Sequence, residues 1–555
     1  MAAILDGIPF HERTIPNLIR RAGARGPRPF LSAPGGTLRH GDLPDAVARS
    51  AAAIRAAAIG ATAIGATGPL GDAPVAVLMS NRVEFPLAWW GTIWAGGVAA
   101  LMHAEFRGML LEHAFKLLTP SVLIAEDVLL GHVAEIAASL PALRTVLVVG
   151  DAGDGFPRWP GPRFLRWNDA RASVAACDPA PVEVSDDATI MFTSGTTGPS
   201  KGVRKSHHYD FIYGALAAEG IGLDESSNIW SCSPCSHART TNCVLLGAMV
   251  SGARATLTSR FSASRFWTEL REAGATHTYV SNWMANVLMK QPPAAEDRGH
   301  GVRVIHCLPP PVDPLAFQER FGVRLTGQGY GSTESYPLPQ QLREQDWTRP
   351  RGFIGKPHPT MEVRIADRHG YPVPADGRTA GEMLVRPRLP YAMLSGYYRN
   401  PEATAEAFRD GWFHTGDGAT IDADGNLGFT GRLSDSIRRR GENISAWEIE
   451  QAAIVLPGVA EVAAYGVPDE LGEEEVKLDI VPDPGIALDP AALIARLDAR
   501  LPRFMVPRYV ELRQSLPKNP NGRIEKYVLR QQPLGPGVFD RTAHDRAAHD
   551  QAAGR

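Results

Sequence analysis

The chain has 555 residues, with 57 Lys and Arg against 60 Asp and Glu, and 44% of its residues are hydrophobic. This length exceeds what one hydrophobic core usually supports, so two or more domains are expected. The balanced charge predicts neither a nucleic-acid partner nor a strongly basic membrane surface. Residues 1–14 carry charges at Asp6, Glu12 and Arg13 and contain no long apolar run, which argues against a secretory signal and favours a cytoplasmic location.

Short β-prone runs and helix-like stretches alternate along the first part of the chain. Strands are predicted at residues 75–79, 122–125, 145–149, 278–280 and 302–305, and helices at residues 43–58 and 265–273. Residues 151–181, rich in Pro, Gly, Asp and Ala, are predicted to be a surface connection. The alternation predicts an α/β fold with wound layers.

Residues 85–102 contain no charged side chain and reach the length of a membrane span. Pro86, Gly91, Gly96 and Gly97 interrupt this segment, which directly follows the strand predicted at residues 75–79. We therefore predict a buried helix and strand of an α/β layer rather than a span.

An odd number of cysteines in a long chain of this type argues against a disulfide framework. Cys232 and Cys235, with His237 nearby, have a spacing found in metal and redox sites, but no second ligand pair of suitable spacing accompanies them. We therefore favour an interpretation without a metal. The five cysteines are Cys177, Cys232, Cys235, Cys243 and Cys307.

Residues 193–202 read Thr-Ser-Gly-Thr-Thr-Gly-Pro-Ser-Lys-Gly and follow an apolar run at residues 188–192. A helix is predicted at residues 210–218, so the loop is expected to join a buried strand to a helix. Glycines allow the backbone to approach an anion closely, while hydroxyl groups and Lys201 supply donors and positive charge. The pattern indicates a phosphate-binding loop, with a flexible Gly/Ser/Thr loop as the alternative.

The loop differs from a Walker A motif. Gly198 is followed by Pro199 and Ser200, and the residue after Lys201 is Gly202, so the Mg²⁺-binding hydroxyl that follows the Walker lysine is missing. This argues against a P-loop kinase or ATPase.

Three further motifs follow in order. Residues 330–334 read Tyr-Gly-Ser-Thr-Glu, residues 412–417 read Trp-Phe-His-Thr-Gly-Asp, and Gly431 precedes Arg432. A flat ring can stack on a base, and a carboxylate offers the hard oxygen ligand that Mg²⁺ prefers, although Glu334 alone could be a solvated surface acid. Residues 418–429 are predicted to form two short strands joined through Asp424 and Gly425.

Together, these motifs resemble the adenylate-forming superfamily, which comprises acyl-CoA synthetases, peptide-synthetase adenylation domains and luciferases. The resemblance implies that Tyr330 stacks on adenine, Thr333 contacts phosphate and Glu334 holds Mg²⁺. It also implies that Asp417 binds both ribose hydroxyls and that Arg432 reaches ribose or phosphate. The full set of nucleotide-binding candidates is Thr193, Ser194, Gly195, Thr196, Thr197, Gly198, Lys201, Tyr330, Gly331, Ser332, Thr333, Asp417 and Arg432.

The resemblance places the acid pocket near His237, which would border the substrate carboxylate, with a simple buried histidine as the alternative. The residue types in this pocket do not distinguish aliphatic, aromatic and cationic acids. Medium-sized organic acids are the default expectation. The predicted pocket residues are His207, His237, Trp283, Gly329 and Gly331.

The domain organisation follows from the same resemblance. We expect a large N-terminal domain for ATP and the acid at residues 1–430, a hinge at 431–436, a small mobile α/β domain at 437–532 and a weakly ordered tail at 533–555. Ser434 stands where the family commonly has Asp or Lys at its hinge, and Asp435 follows, so the exact pivot stays open.

Residues 438–445 resemble the family segment that faces the thiol substrate. Arg439, Gly441 and Glu442 are the candidates for CoA binding, with a solvated charge run as the alternative for the arginines. The sequences of residues 441–450 and 103–108 resemble carnitine-type and related acyl-CoA ligases more than peptide-synthetase domains.

Residues 516–526 align with the family motif whose lysine reaches the substrate carboxylate and the α-phosphate. Arg523 stands in that place, and Lys526 follows three residues later. Arginine does not simply replace lysine, so either Arg523 takes the role, or Lys526 reaches in, or adenylation is impaired. The catalytic candidates are Thr193, Lys201, Glu334, Arg523 and Lys526.

The expected activity is that of an ATP-dependent acyl-CoA synthetase. Such an enzyme forms an acyl-adenylate with release of pyrophosphate, and then transfers the acyl group to CoA with release of AMP. ATP and CoA are the expected co-substrates, Mg²⁺ the expected metal, and a homodimer is possible. The alternatives are a ligase that loads a carrier-protein phosphopantetheine and a non-catalytic nucleotide-binding homologue.

Overall fold

The computed structural model describes residues 4–58, 70, 73–150, 155–193, 200–336, 345–439, 442–468, 474–501, 505–519 and 522–544. Side chains of a few further residues inside these ranges, Trp283 and Glu442 among them, are not described.

The strands of the large N-terminal part are, in chain order, β1 Pro29–Ala33, β2 Gly36–Arg39, β3 Val75–Leu78, β4 Ala99–Met102, β5 Val122–Glu126, β6 Thr145–Val149, β7 Arg163–Arg166, β8 Asp187–Phe192, β9 Gly202–Ser206, β10 Asn228–Ser231, β11 Arg254–Leu257, β12 His277–Val280, β13 Val304–Cys307, β14 Arg324–Thr326, β15 Phe353–Gly355, β16 Met361–Ala366, β17 Gly381–Pro387, β18 Gly396–Tyr397, β19 Phe408–Arg409, β20 Trp412–Ile421 and β21 Leu427–Arg432. Those of the C-terminal part are β22 Ser436–Arg439, β23 Glu442–Ser445, β24 Val459–Pro468, β25 Glu474–Pro482, β26 Tyr509–Leu512 and β27 Phe539–Asp540.

The α-helices are α1 Ile15–Gly23, α2 Leu43–Ala58, α3 Glu84–Trp94, α4 Gly108–Leu118, α5 Leu130–Glu135, α6 Trp167–Ala172, α7 His207–Ile221, α8 Gly247–Ser251, α9 Phe266–Ala273, α10 Asn282–Lys290, α11 Pro314–Phe321, α12 Pro401–Ala407, α13 Ala446–Ile454, α14 Pro490–Asp498 and α15 Lys526–Arg530. A π-helix covers Arg239–Leu246. Short 3₁₀ helices cover Phe10–Glu12, Asp127–Leu129, Ala137–Ser139, Ala295–Asp297 and Leu433–Asp435.

Two largely parallel sheets form the centre of the N-terminal domain. One runs in the order β14-β13-β12-β10-β11-β1-β2, and the other in the order β18-β9-β8-β4-β3-β5-β6-β7. Strands β3 to β6 are almost entirely buried and lack polar alternation, as parallel strands covered on both faces require. Ligands in such folds bind beyond the carboxyl ends of the strands. A site is therefore expected in the segments that follow β8, β10, β13 and β14.

An antiparallel sheet in the order β15-β21-β20-β17-β16 completes the N-terminal domain. The C-terminal residues form a β22-β23 hairpin and a sheet in the order β24-β25-β26-β27. Their apolar core, which includes Ile437, Ile449, Leu478 and Val510, is separate from the N-terminal clusters. The architecture is therefore a large wound α/β domain followed by a small α/β domain, as predicted.

Most predicted elements are confirmed. The helix predicted at residues 43–58 has the bounds of α2, the strand predicted at 145–149 has those of β6, and residues 85–102 form most of α3 and all of β4. The strand expected at 302–305 lies two residues later, as β13. Across the described ranges, no helix is both long and apolar enough to cross a membrane.

Three expectations differ from the structure. The loop at 193–202 joins β8 to the antiparallel β9, and α7 begins only after β9, so the loop lies between two strands. Residues 151–181 contain β7 and α6, which extend the edge of a sheet. The tail expected from residue 533 is paired as far as β27, which lies antiparallel to β26 and is tied by the Arg508–Asp540 ion pair.

Three fully buried histidines make the stability of the fold sensitive to acid. Burial, which is the largest cause in each case, lowers the pKa of His207, His208 and His277 to about 4 from the ordinary 6.5. A histidine with a lowered pKa in the folded state stays neutral there, while the unfolded chain takes up a proton below pH 6.5. The stabilisation is therefore complete above pH 6.5 and is lost as the pH falls towards 4.

We expect each of these histidines to contribute about 1 kcal/mol of lost stability at pH 5.5 relative to pH 7.5. Urea unfolding of the N-terminal domain across this pH range measures the loss. In the His277→Gln variant, the free energy of unfolding should depend less steeply on pH. The slope should decrease by the amount that one titrating histidine contributes. An unchanged slope would contradict a neutral, buried His277.

Candidate active site

Asp417 and Arg432 face each other across the β20-β21 hairpin. They are register partners, so the sheet itself brings a carboxylate and a guanidinium together, and Arg432 Nε lies 2.9 Å from Asp417 Oδ1. Just before Asp417, Gly416 has a φ of +69°, a conformation that favours glycine. The Thr415 hydroxyl accepts a hydrogen bond from the Asp417 backbone N–H at 3.1 Å. The local backbone thus fixes the direction of the Asp417 carboxylate.

Tyr330 reaches the same carboxylate from the segment that follows β14. Its hydroxyl donates to Asp417 Oδ2 at 2.5 Å. Burial raises the pKa of Asp417, whereas Arg432, Tyr330 and Arg523 act in the opposite direction. Burial and the charge of Asp417 raise the pKa of Tyr330 well above its usual value, so the phenol stays a donor at neutral pH.

A tight turn follows Tyr330. Gly329 and Gly331 retain solvent access, and the Ser332 hydroxyl accepts hydrogen bonds from the Glu334 and Ser335 N–H groups at 3.2 and 3.1 Å. The carbonyl of Thr333 accepts a hydrogen bond from the buried Tyr209 hydroxyl at 2.9 Å. The turn therefore positions Glu334 with little freedom.

Glu334 lies beside a residue that the sequence did not indicate. The Tyr397 hydroxyl donates to Glu334 Oε1 at 3.3 Å, and Lys201 Nζ lies 4.8 Å from the centre of the Tyr397 ring. A cation over an aromatic face is attracted by the ring quadrupole. Tyr397 thus brings Lys201, from one end of the glycine-rich loop, close to Glu334.

The two ends of that loop are bonded to each other. The Thr193 N–H donates to the Lys201 carbonyl at 2.9 Å, and the Lys201 N–H donates to the Thr193 hydroxyl at 3.2 Å. The predicted phosphate-binding residues Ser194, Gly195, Thr196, Thr197 and Gly198 lie outside the described residues.

Arg523 enters this cluster from the C-terminal domain. Its N–H donates to Asn519 Oδ1 at 3.0 Å and its carbonyl accepts from Asn519 N–H at 2.9 Å, so a short hairpin presents the side chain. Solvent reaches Arg523, yet the surrounding protein lowers its pKa through burial. Arg432 lowers the pKa further, and Asp417 and Glu334 act in the opposite direction. Arg523 is therefore within electrostatic range of the Asp417 and Glu334 carboxylates and remains exposed to solvent.

Lys526 points elsewhere. Its Nζ lies 2.8 Å from Glu450 Oε1 on α13 and 3.3 Å from Asp435 Oδ2 in the 3₁₀ helix Leu433–Asp435, and only 12% of the side chain is exposed. Arg530 also approaches Asp435, at 3.5 Å. In this arrangement Lys526 ties the end of the C-terminal domain to the predicted hinge, and the structure does not bring it into the cluster around Asp417.

The region predicted to bind the substrate acid contains His237, His306 and Arg239. Burial, the largest cause, lowers the pKa of both histidines to about 3, and the charge of Arg239 lowers it further. Both imidazoles nevertheless retain solvent access, as does Arg239, which indicates that they line an internal cleft. His237 Nδ1 accepts a hydrogen bond from Arg239 N–H at 3.1 Å, so the ring proton lies on Nε2.

His207 was predicted to line the acid pocket, and the structure corrects this prediction. Its side chain is buried, and Nδ1 accepts a hydrogen bond from the Ile15 N–H at 3.1 Å, which joins the start of α7 to α1. Trp283 was also predicted to line the pocket, and its side chain lies outside the described residues.

A buried polar network supports the π-helix that carries Arg239. Lys205 Nζ lies 2.6 Å from Asp210 Oδ1 and donates to Asn242 Oδ1 at 2.6 Å, and all three side chains are fully buried. The Thr189 hydroxyl donates to the second oxygen of Asp210 at 2.7 Å. Because Asn242 lies within the π-helix, the network fixes that helix against β9 and α7.

Arg439 is held inside the C-terminal domain by other protein groups, and this geometry argues against its predicted contact with CoA. Its side chain is buried, with Nε 2.7 Å from Glu475 Oε2 and Nη1 donating to the Val506 carbonyl at 3.1 Å. Gly441 and the Glu442 side chain, the other two candidates for CoA binding, lie outside the described residues.

The double variant Arg439→Met/Glu475→Gln tests this correction. Replacing both members of a buried ion pair is often nearly neutral, so we expect the KM for CoA to stay within about threefold and stability within about 1 kcal/mol of wild type. Steady-state kinetics with varied CoA and urea unfolding measure the two effects. A KM for CoA raised tenfold without loss of stability would restore the CoA role of Arg439.

The cysteines do not form a metal cluster in the part of the chain that the structure describes. All five are free, and burial raises the pKa of Cys232 to about 12 and that of Cys235 higher still. Both thiols therefore stay protonated and unreactive at neutral pH.

Sequence reasoning missed Tyr397, Arg239 and His306. Tyr397 belongs to the two-residue strand β18, too short for a periodicity signal. Arg239 lies two residues after His237, which was noticed, but a lone arginine carries no motif. His306 lies one residue beyond the strand predicted at 302–305, and within the observed strand β13.

Two family models cover most of the chain. The model described as AMP-binding enzyme matches residues 19–398, and the one described as AMP-binding enzyme C-terminal domain matches residues 448–523. A crotonobetaine/carnitine–CoA ligase of Salmonella paratyphi B is 30% identical over 461 residues, which are 82% of this chain and 88% of that protein.

Solved structures have the same fold. The anthranilate CoA ligase AuaEII, in complex with anthranoyl-AMP, superposes with a TM-score of 0.82 at 22% identity and covers 94% of this chain and 98% of its own. ATP-bound MatB from Rhodopseudomonas palustris gives a TM-score of 0.78 at 25% identity, with coverage of 93% and 98%.

The fold and the cluster of Asp417, Tyr330 and Glu334 define an adenylate-forming enzyme. The chain belongs to the AMP-binding enzyme family, as an AMP-forming acid–thiol ligase of the general acyl-CoA synthetase type.

Proposed function

We propose that the protein activates a carboxylic acid with ATP and passes the acyl group to CoA. The observation that carries the proposal is the convergence of Tyr330, Glu334, Asp417, Arg432 and Arg523, from two domains, on one cleft. Aromatic, acidic and cationic groups in such an arrangement suit a nucleotide together with an anionic acid.

The first half reaction needs the assistance of positive charge. A carboxylate oxygen attacks the α-phosphorus, a new C(O)O–P bond forms, and the bond to the bridging oxygen breaks, releasing pyrophosphate. Both reactants are anionic, so a fixed cation between them stabilises the charge of the transition state. Arg523 is our candidate for this cation, since Lys526 is held by Glu450 and Asp435.

The nucleotide contacts follow from the same geometry. Tyr330 would border the adenine, Asp417 would accept hydrogen bonds from the ribose hydroxyls, and Arg432 would hold Asp417 in place or reach the phosphates. Thr193 and Lys201 stand at the ends of the predicted phosphate loop. Glu334 offers carboxylate oxygens at the Lys201 side of the cleft, a donor set that fits Mg²⁺. The metal would neutralise phosphate charge when bound.

In the second half reaction the CoA sulfur attacks the acyl carbon, a C–S bond forms and AMP leaves, while the thiol proton passes to solvent or a base. Rotation of the C-terminal domain about residues 431–436 would withdraw Arg523 and admit the thiol. The hinge, the domain mobility and a homodimer stay predictions, as does the cytoplasmic location.

The test is exchange of labelled pyrophosphate into ATP, driven by a panel of acids, followed by AMP release with and without CoA. Carboxylate-dependent exchange and CoA-stimulated AMP release are expected. Exchange without any effect of CoA would favour a carrier-protein acceptor, and absence of exchange with every acid would overturn the proposal. The name of the Salmonella relative suggests carnitine for the panel, although its quaternary ammonium is poorly suited to a cleft that contains Arg239.

A further inference from the structure

We propose that the acid activated by this protein is a dicarboxylic acid, whose second carboxylate binds Arg239. This inference rests on the proposed function and specifies its substrate class. The reacting carboxylate would lie at the Arg523 end of the cleft, and the second one at the Arg239 end.

Arg239 is held firmly at its place. It begins the π-helix after β10, where the Thr240 hydroxyl donates to the Ser233 carbonyl at 2.8 Å and the Arg239 N–H donates to His237 Nδ1 at 3.1 Å. One turn later, Asn242 is bound to the buried Lys205. Helices of the π type are uncommon and frequently occur at functional sites.

The guanidinium of Arg239 has no hydrogen-bond or ion-pair partner among the described residues. Asp210, which is bonded to Asn242 of the same π-helix, is already paired with Lys205 at 2.6 Å. An arginine that is partly removed from water without an anion is unfavourable, and a bidentate carboxylate is its best partner. The arrangement therefore calls for an anion from outside the chain.

The two histidines on which the charge of Arg239 acts are uncharged. His306 lies with its ring centre 5.0 Å from that of Tyr279, and its Nδ1 is 2.9 Å from the Thr326 hydroxyl. Burial and the charge of Arg239 lower the pKa of His237 and His306 to about 3, so both rings are neutral at physiological pH. Among these side chains, Arg239 alone carries charge, and it can select for an anionic group.

The position of His237 indicates how the two arginines are arranged. The Arg239 N–H donates to His237 Nδ1 at 3.1 Å, so Arg239 lies directly beside this imidazole. Burial first, and then the charges of Arg239 and Arg523, lower the pKa of His237. A substrate that extends from Arg523 past His237 would meet Arg239 with its far end. A second carboxylate on that substrate would give Arg239 an anionic partner.

The experiment compares acids of equal chain length in the pyrophosphate exchange assay with the full-length protein. The pairs are succinate with butanoate, glutarate with pentanoate, and phthalate with benzoate, and 4-aminobutanoate serves as a cationic probe. For the best pair, wild type should show a kcat/KM for the dicarboxylate at least about 30-fold above that for the monocarboxylate. The cationic probe should be the poorest acid.

Variants of Arg239 connect the preference to this residue. In Arg239→Gln, kcat/KM for the dicarboxylate should fall at least about tenfold, while that for the matched monocarboxylate stays within about threefold. Arg239→Lys keeps the charge and should retain part of the preference. Arg265→Gln, at an exposed arginine on the surface, is the matched control and should resemble wild type.

The outcomes separate the two proposals. Exchange driven better by monocarboxylates than by their dicarboxylate partners would overturn this inference and leave the proposed function intact. An equal loss for both acids in Arg239→Gln, with no recovery in Arg239→Lys, would also overturn it, because the residue would then only support the fold. Absence of exchange with every acid would overturn the proposed function, and this inference with it.

Discussion

Replacing Arg523 with alanine is expected to lower the rate of acid-dependent pyrophosphate exchange by about 10²–10³-fold, the usual effect of removing one group that stabilises developing charge. Arg523 is our candidate for the cation that the C-terminal domain contributes, because the charges of Asp417 and Glu334 act on it. The measurement is the initial rate of exchange at saturating ATP.

Lys526→Ala is the matched control, since it removes a positive charge three residues further on. Lys526 contacts Glu450 and Asp435, so we expect exchange within about tenfold of wild type and a larger effect on stability of the C-terminal domain. A loss of exchange in Lys526→Ala but not in Arg523→Ala would reverse the assignment. Arg523→Lys should keep part of the activity, because the charge remains while the planar fork is lost.

The contrast between these two residues shows what the sequence could not decide. Both stand in the same short motif, and both carry the required charge. Their directions differ because the chain pairs back on itself between Lys518 and Ile524 and then enters α15. Lys526 thereby contacts Glu450 of α13 and Asp435 of the 3₁₀ helix Leu433–Asp435. Both acids are far from Lys526 in the chain, so no local sequence pattern predicts these contacts.

Motifs in turns at strand ends can be recognised in the sequence for a physical reason. Glycine and short polar residues after an apolar run mark places where the backbone must leave a sheet, and functional groups gather there. Glu334 lies in such a turn, whereas Asp417 was identified from its motif and lies within β20. Their partners were harder to find, because the Asp417–Arg432 pair depends on sheet register and the Glu334–Tyr397 contact on a strand of two residues.

Arg439 and His207 illustrate a second limit. A run of arginines in a sequence does not show whether the side chains are solvated or paired inside a core. Arg439 is paired with Glu475, which belongs to a different strand. His207 opens a helix next to another histidine, and only the packing of α1 shows that its ring accepts a buried backbone N–H. Burial is a property of the assembled layers, so residue type alone could not assign either role.

The buried Lys205–Asp210 pair should be the most sensitive point of the N-terminal domain. Lys205→Met leaves Asp210 fully buried, with hydrogen bonds from Thr189 and Asn242 but without its countercharge. Breaking a buried ion pair by removing one partner typically costs 3–5 kcal/mol, so we expect a loss of about 4 kcal/mol in the free energy of unfolding, measured by urea titration. Lys116→Met, at an exposed pair with Glu112, is the matched control and should change stability by less than about 0.5 kcal/mol.

The double variant Lys205→Met/Asp210→Asn distinguishes a lost countercharge from lost packing. Because it removes both charges, it should recover at least about half of the stability lost in Lys205→Met. If the double variant were as unstable as the single one, the cost would come from the cavity or from Asn242, and not from an unpaired carboxylate. Since Asn242 fixes the π-helix that carries Arg239, the same two variants should also weaken selection between matched dicarboxylates and monocarboxylates, which connects the stability of this network to recognition of the acid.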